Sequence, residues 1–502
     1  MKVIKELISL LPPSKINQIK LIGSELDIDS KLGALYYGIL NNDFSSDLEA
    51  SQKLYEGKSN SAAYKKLKQR LRERLLNTLF FTDINVPKFA DYGTAMANCY
   101  QEYALVKLLL SKHARKSAIW LAEHLIEQTK KYEFSELTSL ISSDLMNHYG
   151  ILQLDYKKFN YYSNIFNSSK NILEAEQKAA QAYSMVLFLS LGIKKKEDSL
   201  ISDFKNLLNE LDSIYPGVST NRFILLYSNA KSSYLNDLGD YSSIIELCNE
   251  VLHVLGKKYF ENPTLKFSLL RKKMNSYFNL GKIDKAVEIS EEAKTFTKKG
   301  THNWYIASYY QCLFLIHQKN YESANQILDY TLNIKQSKYL SPLLKEYWLT
   351  IEAYIELLKL IGKIESGQST FRVQKFINDV PVYQMEKQGR KVAVILVQLM
   401  FFLGKYEYGK YIDRIEALQQ YRRRHLGEAN TFRANIIIKM MTKVGKLSFH
   451  PVRIKAHTKN DLKSLSSMSP EFSNSSADVE IIPYEDLWQM VLEILEYNLK
   501  KK

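Results

Sequence analysis

Apolar residues recur every three to four positions along most of this 502-residue chain, with few interruptions. That period puts one apolar stripe on a helix, so the pattern predicts an all-α protein. Near the N-terminus it predicts helices at 15–27, 31–41, 45–55 and 61–80. They are separated by Asp27-Ile28-Asp29, Asn41-Asn42-Asp43 and Glu56-Gly57-Lys58. In the last of them Tyr64, Leu67, Leu71, Leu75 and Leu79 form the stripe, and Asn60 or Ser61 can cap it. Residues 1–85 are therefore expected to form a separate helical module, helix-turn-helix-like in outline.

The pattern fails near residue 446. Residues 461–480 hold seven serines and Pro470 with little apolar content, which predicts a flexible linker over 446–482. Pro483 then opens an amphipathic segment, 483–502, with Leu487, Val491, Ile494 and Leu495 on one side. A terminal helix of this kind either docks back as a cap or reaches a partner.

Between these ends a phrase repeats: an apolar helix end, a Leu-Gly-x-Tyr-like turn, then a second amphipathic helix. It begins at Leu238, Leu280, Gln318 and Leu403, with weaker copies at Leu109, Leu152, Leu191 and Ile361. The turn positions are His113, Leu154, Gly192, Gly239, Gly281, Lys319, Gly362 and Gly404, at spacings of 41, 38, 47, 42, 38, 43 and 42. Each unit has room for two helices of about 14–18 residues and two short connections. Glycine at the turn can take a positive φ and end the first helix. An aromatic follows two positions later (Tyr241, Tyr321, Tyr406), and a small residue five positions after the turn (Ala286, Ala324, Gly409) lets helices approach closely.

In these positions the chain resembles the tetratricopeptide repeat family over residues 86–445. The period exceeds that family's ~34 residues, and the Trp-Leu-Gly phrase of its first helix is mostly missing. The resemblance implies a right-handed α-solenoid of about eight helical hairpins. It also implies that the first helix of each hairpin lines a concave face. The inward positions would then be Asn229, Ser233 and Asp237 in one unit, with Asn236 beside them, and Arg271, Asn275 and Asn279 in the next. Asparagine offers both donors and an acceptor to an extended peptide, and Arg271 offers a bidentate fork to a carboxylate. Arg271 and Asn275 match the first two positions of the family's carboxylate clamp. Its later positions fall on Tyr310, Leu349 and Ala353, so recognition of an acidic C-terminal tail is not expected.

Composition narrows the class further. With 19 Gly and 10 Pro, the chain lacks the turn residues that all-β folds need. Cys99, Cys248 and Cys312 are odd in number, far apart and set in apolar stretches, so they read as core residues in a reducing compartment. The start of the chain is interrupted by Lys5 and Glu6 and stopped by Pro12-Pro13, unlike a secretory signal. The longest apolar run, Val392 to Leu403, is 12 residues, too short to cross a bilayer. A cytoplasmic protein without a membrane partner is expected.

The net charge of +15 is concentrated. Residues 61–76 carry six Lys/Arg against Glu73, and residues 421–460 carry ten against Glu428. Lys65, Lys66, Lys68, Arg70 and Arg72 in the first, and Arg422, Arg423 and Arg424 in the second, are candidates for phosphate contacts. No phosphate loop, dinucleotide glycine motif, zinc-binding His pair or nucleophile elbow occurs, and the nine histidines are scattered. No catalytic residue, metal or cofactor is expected. The sequence thus predicts a non-catalytic scaffold or adaptor that holds a protein or peptide. The alternative is a nucleic-acid-associated regulator using the two basic stretches.

Overall fold

The computed structural model describes residues 30–41, 43–44, 46–55, 62–81, 92–190, 198–215, 217–258, 262–334, 340–365, 371–374, 376, 391–425, 432–468 and 480–501. Among them the regular structure is helical, with no strand. The expected helix at 15–27 and the turn at Gly192 lie outside these residues. The chain divides into two compact units, Met1–Glu174 and Ala175–Lys502.

The first unit opens with α1 (Lys31–Leu40), α2 (Asp47–Leu54) and α3 (Ala62–Phe81). Ser30 and Ser46 cap α1 and α2 through their hydroxyls, at 3.0 and 3.3 Å from the amides of Gly33 and Glu49. Tyr64, Leu67 and Leu71 of α3 bury against Leu35 and Ala50. The Tyr64 hydroxyl donates to Asp47 at 2.9 Å, and Lys68 pairs with the same carboxylate at 2.7 Å. Then follow α4 (Tyr92–Ser111), α5 (Arg115–Lys131), α6 (Ser135–Asn147), a π-helical turn (His148–Leu152) and α7 (Tyr156–Ser190), which ends in the second unit. Two helices per repeat predict a break within 156–190, yet α7 is one helix of 35 residues. Residues 166–178 contain no Gly or Pro to interrupt it.

The second unit continues through α8 (Asp198–Ile214), α9 (Asn221–Asp237), α10 (Tyr241–Gly256), α11 (Pro263–Asn279), α12 (Ile283–Thr295), α13 (His302–His317), α14 (Tyr321–Leu332) and α15 (Pro342–Leu360). It ends with α16 (Lys391–Gly404), α17 (Tyr408–His425), α18 (Phe432–Lys446), α19 (Pro451–Ser466) and α20 (Tyr484–Lys500). Consecutive helices from α9 to α15 pack on one another, and α9, α11, α13 and α15 also touch in series. This next-neighbour pattern is consistent with a solenoid.

The turns are built alike. His113, Leu154, Gly239, Gly281, Lys319 and Gly362 all take positive φ. At Gly239, Gly281, Lys319 and Gly362 the residue after the turn donates its amide to a carbonyl five residues back, at 2.9 Å each. That bond satisfies a carbonyl at the helix end. Asp240 and Asn320 then cap the next helix through their side chains. Ala286 and Ala324 are fully buried where helices cross. The last predicted copy is shifted: Tyr406, not Gly404, has the positive φ. Gly409 accordingly lies in open space rather than in a close helix contact. Tyr411, five residues after the true turn, is the buried residue, and its hydroxyl donates to the Met441 carbonyl at 2.8 Å.

The predicted linker over 446–482 is corrected in part. Residues 451–466 form α19, with Pro451 in its first turn and Ile454, Thr458 and Leu465 buried. The apolar stripe is so narrow that polar composition hid it. The C-terminal helix α20 docks back on the chain. It packs on α16, α18 and α19 and buries Leu487, Trp488, Val491 and Leu495. Its contacts extend beyond the last hairpin: Asp486 pairs with Lys319, Glu493 with Lys363, and Asn498 donates to the Leu403 carbonyl. The apolar run Val392–Leu403 is the buried helix α16.

Candidate functional site

Two neighbouring helices carry the predicted inward-facing residues: six along their length, and Asp237 exposed at the end of α9. Asn229, Ser233 and Asn236 share one face of α9, spaced four and three residues apart. Arg271, Asn275 and Asn279 share a face of α11 at four-residue spacing. The two helices touch. Five of the six are partly exposed, whereas Asn275 is only 5% exposed and belongs to the helix packing. Tyr310, Leu349 and Ala353, at the later clamp positions, are packing residues: Tyr310 stacks on Phe314, and Ala353 is fully buried.

The surroundings of Arg271 were not legible as a cluster. Arg271, Lys272 and Lys273 follow one another on α11, and all three are partly exposed. No carboxylate pairs with any of them among the described residues. Burial first, then the neighbouring Arg271 charge, pushes the Lys272 ammonium down to about 8. Three consecutive basic residues in a mainly apolar helix were the available sequence signal.

The first basic stretch lies on α3. Lys65, Lys66, Arg70 and Arg72 are exposed opposite the buried Tyr64, Leu67 and Leu71, and no carboxylate pairs with them among the described residues. Lys68 is exposed too, but it is tied to Asp47. In the second stretch, Arg422, Arg423 and Arg424 fall in α17, with side chains outside the described residues. Much of the remaining charge there is used internally. Lys439 and Lys443 both pair with Asp461, at 2.9 and 2.5 Å.

Arg433 belongs to the second basic stretch, yet it is only 8% exposed. Its guanidinium donates to both oxygens of Glu480 at 2.6 and 3.0 Å and to both oxygens of Glu485 at 2.9 and 2.7 Å. It also donates to the carbonyls of Leu465 and Met468. These bonds saturate its donors and fasten the start of α20 to α18 and α19. Beside it, the His317 Nε2 donates to the Glu480 carbonyl at 2.6 Å. The partners lie 47 and 52 residues from Arg433, so no local pattern announces them.

The three cysteines are buried. Burial, the first cause at each, raises all three thiols, Cys99 to about 11 and Cys248 to about 12. Among the described residues no group of three or more His, Cys, Asp or Glu side chains gathers as a metal site, and no helix is long and apolar enough to cross a membrane. No protein-family model, no curated protein and no solved structure matches the chain. Its class rests on its own geometry: an all-α protein of serially packed helices with an unpaired cationic cluster on one of them.

Proposed function

We propose that the chain is a non-catalytic cytoplasmic scaffold, built as a tetratricopeptide-like solenoid, that holds an acidic protein segment against α9 and α11. The observation that carries this reading is the uncompensated pair Arg271 and Lys272. An aspartate or glutamate of a partner would oppose the two like charges and raise the basicity that burial and Arg271 lower at Lys272. Asn229, Ser233, Asn236 and Asn279 would supply donors and acceptors to the partner's backbone. Stacked helices fix the wall before binding, so little reorganisation is needed in the host. The test is affinity capture from native cytoplasm after nuclease treatment, comparing the chain with its Arg271→Ser/Lys272→Ser variant.

A second reading is favoured by the exposed cations of α3. Lys65, Lys66, Arg70 and Arg72 have the distribution of a phosphate-tracking helix, so this module would hold DNA or RNA while the helical stack binds protein. The same reading assigns Arg422, Arg423 and Arg424 of α17 a phosphate role of their own. Partners lost on nuclease treatment, with nucleic acid recovered, would favour this second reading.

A further inference from the structure

The turn between α6 and α7 breaks the usual chemistry of turns. Ile151, Leu154 and Tyr156 are 71%, 80% and 77% exposed, and Leu152 is 49% exposed. Turn tips ordinarily carry polar residues or glycine. Leu154 moreover has φ 54, where a branched side chain is strained and glycine is not. It accepts that strain while burying almost nothing.

The base of the turn is rigid. Tyr149 is buried beneath it, and its hydroxyl donates to Glu123 at 2.7 Å. Lys158 and Tyr162 reach the same carboxylate at 3.1 and 3.3 Å, and Tyr149 stacks on Tyr162. The Asp155 amide closes the turn on the Tyr149 carbonyl at 2.9 Å. Four apolar side chains therefore stand on a preorganised support.

The charge around them is mainly positive. The α4–α5 turn ends at the same edge of the helix stack, since α4, α5 and α6 pack on one another through short turns. Arg115 acts electrostatically on His148 at the root of the apolar turn. Lys112, Arg115 and Lys116 of that turn, and Lys157 beside Tyr156, are exposed and have no carboxylate partner among the described residues. The acid in the apolar turn, Asp155, already accepts the Lys158 amide. The first turn of α5 contains no acidic residue, contrary to what the helix dipole prefers.

We propose that this edge is a peripheral docking surface for an anionic lipid bilayer. Ile151, Leu152, Leu154 and Tyr156 enter the headgroup layer, and the flanking cations meet lipid phosphates. Projecting apolar side chains with cations on the neighbouring turn fit a lipid surface better than a folded protein, which would need a matching apolar pocket. The contact is superficial and requires no membrane-crossing helix.

Co-sedimentation of the full chain with vesicles tests this. One set is phosphatidylcholine alone, and the other is an equimolar mixture with phosphatidylglycerol. The expected result is pelleting with the mixed vesicles at low salt, loss of most binding at about 0.5 M salt, and little binding to the neutral set. Leu154→Gly with Tyr156→Ser weakens partition more than about tenfold, since two apolar anchors are removed. Its thermal transition stays or rises, because glycine suits the positive φ. Lys112→Ser/Arg115→Ser/Lys116→Ser weakens binding and flattens its salt dependence. Failure of the full chain to pellet with either set overturns the proposal. So does undiminished pelleting of the Leu154→Gly/Tyr156→Ser variant. Binding of a DNA or RNA oligonucleotide, abolished by the three basic substitutions and without vesicle binding, reassigns the edge to nucleic acid.

Discussion

Gln398 lies at the middle of the apolar helix α16 with no exposed surface, and neither of its amide atoms has a hydrogen-bond partner. A buried amide left unpaired costs about 1–3 kcal/mol. Gln398→Met keeps the volume and removes the polar atoms, so it should raise the stability of the second unit by about 1–2 kcal/mol. Urea unfolding measures this, and a fall in stability would mean that an internal water satisfies the amide. The residue scale was partly legible in sequence. Six of the eight turn positions read from the repeat take positive φ, because a helix-ending turn is specified within a few residues. Tyr406, expected as the aromatic packed over a turn at Gly404, is itself the turn residue, because Gly404 and Gly409 fit the repeat two residues too early. Leu154 was read as one more turn position, and nothing local indicated that its side chain would stand in solvent.

Elements were legible where each makes its own stripe, and obscure where distant charge holds them. The helices α1, α2 and α3 fall within two residues of their predicted limits. The helix α19 and its continuation to α20 depend on Arg433, whose partners Glu480 and Glu485 are remote in sequence. Arg433→Ala leaves the Glu480 carboxylate buried without its cation, a loss of about 3–5 kcal/mol. Hydrogen exchange should show α20 losing protection first while α9 and α11 keep theirs. Uniform loss of protection would place the lock outside α20.

His317 adds a pH dependence to the same docking. Burial lowers its imidazole to about 4, against the raising influence of the Glu480 carbonyl and of Asp486 and Glu485. A depressed base stabilises the fold when neutral. The contribution is therefore whole above the unfolded value of about 6.5, falls as the pH drops toward about 4, and levels off below it. The difference is on the order of 3 kcal/mol. His317→Gln should flatten the stability profile across that window in urea titrations. An unchanged slope would assign the acid sensitivity to other groups.

At the scale of the whole molecule, the chain is a series of helices that bury their stripes mainly against near neighbours, which lets a repeat pattern forecast an all-α architecture. The pattern could not forecast α7, where two expected helices merge because nothing in 166–178 separates them. Nor could it distinguish surface cations from consumed ones. Among the described residues no carboxylate pairs with Lys65 or Arg70, while Arg433, Lys439 and Lys443 are spent on internal pairs. Among the described residues, α11 carries three consecutive partly exposed cations, Arg271, Lys272 and Lys273, that no carboxylate pairs.

The most direct measurement of the scaffold proposal is nuclease-treated affinity capture of the full chain beside its Arg271→Ser/Lys272→Ser variant, quantified by mass spectrometry. The account predicts a discrete protein retained by the unsubstituted chain and depleted about tenfold or more on the variant, consistent with loss of charge-assisted contacts. Equal recovery of that protein on a folded variant, or no protein surviving nuclease, would contradict it.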